Sequence, residues 1–164
     1  MKTKKLTRLA LLAAVALGMY VLEAQLPSPI PVAGIKLGLS NIVTVYAVFA
    51  FGPWEALAIL LVRVFLGSLF TGQMMALAYS LAGGLLSLAV MLLLRKTLAH
   101  RQIWVASVLG GIFHNVGQIL VAMAVTATPS IAIYLPVLIL SGLAAGLFTG
   151  LCAQYLINHM KKIL

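Results

Sequence analysis

The sequence predicts an all-α integral membrane protein whose fold is a single bundle of six transmembrane helices. Of its 164 residues, 63% are hydrophobic and only 8% are charged, and the mean hydropathy is +1.16. Apolar runs of membrane-spanning length take up most of the chain, and no water-soluble core of this size could bury them. Because little sequence lies outside these runs, we expect one transmembrane domain, residues 1–164, without a soluble catalytic or nucleotide-binding domain.

The first predicted span, residues 6–22, follows a basic segment that includes Lys4 and continues to Arg8. A basic segment before an apolar run also begins a secretory signal peptide. A cleavage after Ala24 would put the large Leu22 three positions before the cut, where a small residue is preferred. We therefore expect an uncleaved first helix.

The second and third predicted spans, residues 37–51 and 54–70, are bounded by turns that contain proline. The segment QLPSPIPVAG precedes the second span, and FGPWE separates the two spans. Proline ends helices because its nitrogen donates no hydrogen bond. At about 1.5 Å per residue, the second span is short for a hydrocarbon core of about 30 Å.

The last three predicted spans are residues 74–94, 103–126 and 131–157, with the turn TATPS before the last one. Basic residues cluster before the first span, between the fourth and fifth, and at the chain end: Lys2, Lys4, Lys5, Arg8, Arg95, Lys96, Arg101, Lys161 and Lys162. In a bundle of six spans these clusters fall on one side of the membrane. Since basic residues favour the cytoplasmic side, we expect both termini in the cytoplasm.

Several function classes are unsupported by the sequence. The formal net charge of +9 is explained by orientation in the membrane, so no nucleic acid partner is expected. The three histidines are not spaced to share a metal, and the single cysteine, Cys152, is expected to be a packing residue. The chain has no phosphate-binding glycine loop and no aspartate, so it lacks an aspartate-rich motif for magnesium diphosphate. We expect no cofactor, no catalytic residue and no enzyme activity.

Polar residues converge on the outer half of the predicted bundle. A charge at the bilayer centre costs at least about 2.5 to 3.5 kcal/mol, so Arg63 in the third span requires a compensating environment. His114 and Gln118, four residues apart, share a face of the fifth span. The candidate substrate-binding residues are Glu23, Lys36, Ser40, Asn41, Arg63, Gln73, Tyr79, His114, Asn115 and Gln118.

Two interpretations of this polar group stay open. Arg63 could pair with Glu23 or donate to Asn41 and thereby only tie helices together. Alternatively, the group lines a water-filled pocket that opens to the outside and binds a small ligand. With Lys36, Arg63 and a titratable His114 set against Glu23, the pocket would be cationic and would favour an anion or zwitterion with an apolar part. Lys36 could instead extend toward lipid headgroups.

Small residues recur at every fourth position in two spans. Ala10, Ala14 and Gly18 form one stripe in the first span, and the last span has Gly142, Gly146 and Gly150. Such stripes allow two helix backbones to approach closely in lipid. For the last span we expect packing within the chain, whereas the first-span stripe also suits docking of a partner helix.

The segments GIKLGLSN, residues 34–41, and GGIFHNVGQ, residues 110–118, together with Ala10 and Ala14 in A-x-x-x-A spacing, resemble a known family. This family is described both as heptaprenyl diphosphate synthase component I and as the Gx transporter family. It is similar to the substrate-binding S components of energy-coupling factor (ECF) transporters.

The resemblance implies a six-helix uptake module of the bacterial cytoplasmic membrane that captures a vitamin-like molecule from outside. Its implied partners are a transmembrane coupling protein (EcfT-like), which docks on the small-residue stripe of the first helix, and two cytoplasmic ATPases. Toppling of the subunit in the lipid bilayer would carry the ligand across. The alternative that the family name implies is a non-catalytic membrane component of heptaprenyl diphosphate synthase in isoprenoid or menaquinone biosynthesis.

Overall fold

In the computed structural model, residues 2–26, 38–98 and 102–163 are described. They form six α-helices and one short 3₁₀ segment, Pro129–Tyr134, and these ranges contain no β-strand. The helices are α1 (Lys2–Glu23), α2 (Asn41–Ala50), α3 (Pro53–Thr71), α4 (Met74–Arg95), α5 (Ile103–Thr126) and α6 (Leu135–Ile163). The predicted all-helical architecture is thereby confirmed.

Five of these helices are long and apolar enough to cross a membrane, whereas α2 is not. This makes the chain a multi-pass membrane protein with six helices in the described residues, of which five have the length of a membrane span. The ten residues of α2 measure about 15 Å, half of the hydrocarbon core. Seven of them are buried, so the apolar sequence of α2 packs inside the protein and does not face lipid along its length.

The start of α2 lies later than the sequence predicted. Residues 38–40 form a turn in which the backbone nitrogen of Asn41 donates to the Gly38 carbonyl at 2.9 Å. Gly38 has a φ of +83°, a conformation that favours glycine. The turn therefore delays helix formation to Asn41, within the sequence predicted to be helical from residue 37.

Contacts between helix ends fix the two ends of the bundle. The Lys5 ammonium pairs with the Glu55 carboxylate, which brings the starts of α1 and α3 together. The backbone nitrogen of Ile103 donates to Gln154 Oε1 at 3.1 Å, so α5 begins where α6 ends. We refer to this end, which includes the basic start of α1, as the terminal end, and to the opposite end, where Glu23 meets Gly38, as the distal end.

The helices α4, α5 and α6 pack with little space between their backbones. A methyl group on Gly117 of α5 would lie 2.8 Å from Gly83 Cα in α4. One on Gly146 of α6 would lie 2.6 Å from the Ser107 carbonyl oxygen in α5. The glycine stripe of α6 therefore packs within the chain, as expected for small residues at a helix interface.

Candidate functional site

A group of buried polar side chains crosses the middle and distal half of the bundle. We call this group the polar layer; its members are Tyr20, Glu23, Ser40, Asn41, Arg63, Ser68, Ser80, His114, Asn115 and Gln118. They belong to α1, to the start of α2, and to α3, α4 and α5. Seven of the ten candidate residues from the sequence are among them. The fold thus buries most of the candidate residues together, and their binding of a ligand stays a prediction.

Within the polar layer, the two charged side chains are connected through the start of α2. The Glu23 carboxylate accepts hydrogen bonds from the backbone nitrogens of Gly38 and, at 3.4 Å, Ser40. Arg63 donates from Nη1 to Ser40 Oγ at 2.5 Å and from Nη2 to Asn41 Oδ1 at 3.1 Å. Arg63 is only 1% exposed, so these charge-assisted bonds and the nearby carboxylate offset the cost of burying its charge.

These contacts are the ones expected if Arg63 ties helices together. They use both terminal nitrogens of the guanidinium and both oxygens of Glu23. Of the three guanidinium nitrogens of Arg63, Nε alone has no hydrogen-bond partner in the described part of the chain. Arg63 and Glu23 are therefore one balanced pair of charges, and the predicted excess of positive charge depends on Lys36 and His114. Lys36 lies outside the described residues.

His114 lies between the turn before α2 and the backbone of α4. A methyl group on Gly38 would be 3.2 Å from His114 Nε2, and one on Gly83 would be 3.1 Å from Nδ1. The two glycines thus leave just enough room for the imidazole. The segments GIKLGLSN and GGIFHNVGQ, far apart in the sequence, meet at this contact.

The amides of Asn115 and Gln118 are fully buried but differ in their hydrogen bonding. Asn115 Nδ2 donates to the Leu138 carbonyl at 2.7 Å and to Ser141 Oγ at 3.1 Å, which ties α5 to α6. Asn115 Oδ1 and both amide atoms of Gln118 have no partner among the described residues. A buried amide without a partner costs about 1 to 3 kcal/mol, so these atoms are candidate contacts for a polar ligand.

Gln73 and Tyr79 lie apart from these contacts. Gln73 is exposed at the start of α4. Tyr79 is buried, but its neighbours are Ile119, Ala122 and Leu138 in an apolar cluster. The structure gives neither residue a hydrogen bond to the polar layer, and their proposed contact with a ligand stays a prediction.

Sequence reasoning missed the contribution of Tyr20. Its hydroxyl lies 3.2 Å from Ser80 Oγ and 3.4 Å from Ser68 Oγ, so it joins α1 to α3 and α4. Tyr20 is three residues before Glu23, and this spacing puts both side chains on one face of α1. That spacing was the signal in the sequence, but a tyrosine near a helix end also suits the membrane interface.

Polar groups also continue toward the terminal end, where the sequence predicted mostly apolar side chains. Ser107 Oγ lies 3.0 Å from Thr149 Oγ1, joining α5 to α6. A cavity of about 10 Å³ touches both residues as well as Asn41 and Ser87, and this is room for about one water molecule. The polar layer and the Ser107–Thr149 pair therefore border one internal cavity.

The predicted docking stripe on α1 faces away from the bundle. Ala10, Ala14 and Gly18 are all exposed, and a methyl group on Gly18 would meet nothing within 4 Å. By contrast, Ala16 on the same helix is 0% exposed. The stripe is therefore accessible at the surface.

Comparison with known proteins gives one family match. Residues 12–156 match the model of a family described as heptaprenyl diphosphate synthase component I. The match runs from the middle of α1 into the last turns of α6. No curated protein and no solved structure matches the chain significantly.

Proposed function

We propose a transport function for this chain, which belongs to the heptaprenyl diphosphate synthase component I family by the match over residues 12–156. The chain would be the substrate-binding subunit of an ECF-type uptake transporter. The observation that carries this proposal is the polar layer, in which three amide atoms of Asn115 and Gln118 are buried without a partner among the residues that the structure describes. If these two side chains served only to hold helices together, apolar residues at the same positions would make the protein more stable.

The ligand that suits this layer is a small vitamin-like or cofactor-precursor-like molecule with an apolar part. Gln118 offers one donor and one acceptor, and Asn115 offers a further acceptor. Arg63 and Glu23 already satisfy each other through Ser40, so they would orient the ligand and hold the helices in place. An anionic group on the ligand would be held by Lys36.

The proposed energy source lies in partner proteins. The sequence contains no phosphate-binding loop, which agrees with ATPases on separate chains. The exposed stripe Ala10, Ala14 and Gly18 would accept a helix of an EcfT-like coupling protein, which in turn would bind two cytoplasmic ATPases. In this arrangement the basic terminal end faces the cytoplasm and the distal end faces outward, in a bacterial cytoplasmic membrane.

The second candidate is a non-catalytic membrane component of heptaprenyl diphosphate synthase. The description of the matching family favours it, because that description names a synthase component. In this case the chain would bind a catalytic synthase subunit, and the polar layer would serve helix packing. The two candidates therefore differ in the partner that they require.

Purification of the tagged chain from its native membrane distinguishes the candidates. The transport function predicts that a coupling protein and two ATPases co-purify, and that native mass spectrometry detects a bound small molecule. Ala14→Phe should abolish the co-purification, whereas Leu22→Phe, at a residue 66% exposed, should retain it. Co-purification of a soluble prenyl diphosphate synthase, with a rise in its activity, would instead establish the second candidate.

A further inference from the structure

We infer that an anionic phospholipid binds in a groove between α1 and α6, with its phosphate on Arg8 and one acyl chain along α1. The groove lies on the outside of the bundle and is separate from the polar layer. It is independent of the proposed transport function and of the synthase alternative. Neither of those functions assigns a role to it.

The groove is formed because α2 is short and recessed between two longer helices. Two adjoining cavities, of about 530 and 310 Å³, share Leu12 of α1, Tyr46 of α2 and Met160 of α6. Beyond Arg8, the lining of both cavities is almost entirely apolar; it includes Val15, Met19 and Leu156. Val15 and Leu156 are 49% and 45% exposed, so the groove opens sideways to the lipid.

The length of the groove matches one leaflet. Along α1 it extends from Arg8 to Met19, which at 1.5 Å per residue is about 16 Å. This is about half of a hydrocarbon core of about 30 Å. A groove of this length suits the acyl chain of a phospholipid from the leaflet at the terminal end.

Arg8 provides a cation at the depth of the headgroups. It lines the groove at the terminal end, where exposed Trp54 marks the membrane interface. The chain contains only two acidic side chains. Glu55 pairs with Lys5 and Glu23 binds the turn before α2, so both are engaged elsewhere.

Arg8 is the one cation among the lining residues that the structure describes, and this determines which phosphate fits. A phosphodiester carries one negative charge, which Arg8 can match by two parallel hydrogen bonds. A prenyl diphosphate carries more charge and would call for additional cations or a metal site. The described residues contain no cluster of three side chains that could hold a metal ion. The groove therefore favours an anionic phospholipid over a prenyl diphosphate.

The test is native mass spectrometry of the full chain released from bilayers that contain equal amounts of phosphatidylglycerol and phosphatidylcholine. The expected result is retained phosphatidylglycerol in excess of phosphatidylcholine. Arg8→Gln should reduce this preference about fivefold, the effect of one basic residue near an anionic surface. Lys96→Gln removes the same charge at the terminal end but outside the groove, so the preference should persist.

A second pair of variants tests the acyl-chain position. Val15→Trp would fill the groove and should remove the retained lipid, whereas Leu69→Trp, on the exposed face of α3, should not. Equal retention of both lipids, or equal effects of Arg8→Gln and Lys96→Gln, would overturn the inference. Displacement of phosphatidylglycerol by an equal amount of farnesyl diphosphate would also overturn it. None of these three results would bear on the binding of a ligand in the polar layer.

Discussion

The buried amide of Gln118 leads to the sharpest prediction. Gln118 is 0% exposed, and neither its oxygen nor its nitrogen has a hydrogen-bond partner in the described part of the chain. Methionine has nearly the same length and volume but no strongly polar atom. We expect Gln118→Met to stabilise the ligand-free protein and to abolish binding of its small molecule.

The expected gain follows from the cost of burying an amide. Without compensating hydrogen bonds this cost is about 1 to 3 kcal/mol in protein mutational data. For a chain of 150 to 250 residues, 1 kcal/mol shifts the melting temperature by about 2 to 4 °C. Gln118→Met should therefore raise the apparent melting temperature in detergent by about 2 to 12 °C, measured by the reaction of Cys152 with a thiol-specific dye.

Asn115 is the matched control because it lies on the same helix and is equally buried. Its Nδ2 donates to the Leu138 carbonyl at 2.7 Å and to Ser141 Oγ at 3.1 Å. Asn115→Leu should therefore lower the melting temperature, opposite in sign to Gln118→Met. A fall in stability with Gln118→Met would show that its amide is satisfied in the folded protein, and the argument for a ligand contact would fail.

Two further predictions concern packing and charge. Arg63→Met should destabilise the protein by about 3 to 5 kcal/mol, because it leaves the Glu23 carboxylate buried without its cation. Adding Glu23→Gln to the same chain should recover part of this loss. Thermal unfolding of the two single variants and the double variant measures the effects, and simple additivity of the two single effects would contradict the pairing. Gly146→Ala should sharply reduce the folded yield, since its methyl group would lie 2.6 Å from the Ser107 carbonyl oxygen. Gly18→Ala, whose methyl group would meet nothing within 4 Å, should keep the folded yield and stabilise α1 by up to about 1 kcal/mol. Size-exclusion chromatography would measure both glycine variants, and equal yields would contradict the close packing of α5 and α6.

The sequence predicted the long helices well because each coincides with an apolar run bounded by proline, glycine or charge. It also predicted that the second span is short, but not that this helix would be buried among its neighbours. Hydropathy measures how apolar a segment is, and both a lipid-facing helix and a helix buried in protein meet that criterion. The burial of seven of the ten residues of α2 could be recognised only once the positions of the neighbouring helices were known.

The polar layer was predictable in part for a similar reason. The depth of a residue in the membrane follows from its position along a span. The sequence therefore predicted a similar depth for Arg63, His114 and Gln118. The direction in which a side chain points depends on helix rotation, which the weak amphipathicity of these helices does not define. Tyr79 therefore faces an apolar cluster, although its depth suggested a ligand contact. Tyr20 joins Ser68 and Ser80, although the sequence reasoning assigned it no role.

The proposed function assigns separate tasks to two faces of α1, at separate depths. Toward the distal end its inner face supplies Tyr20 and Glu23 to the polar layer. Its exposed stripe begins at Ala10, more than three turns nearer the terminal end than Glu23. A bulky residue at Ala14 would therefore project away from the bundle and leave the contacts of Glu23 intact. For this reason, loss of partner binding without loss of ligand binding is the result expected from Ala14→Phe, and loss of both would indicate misfolding.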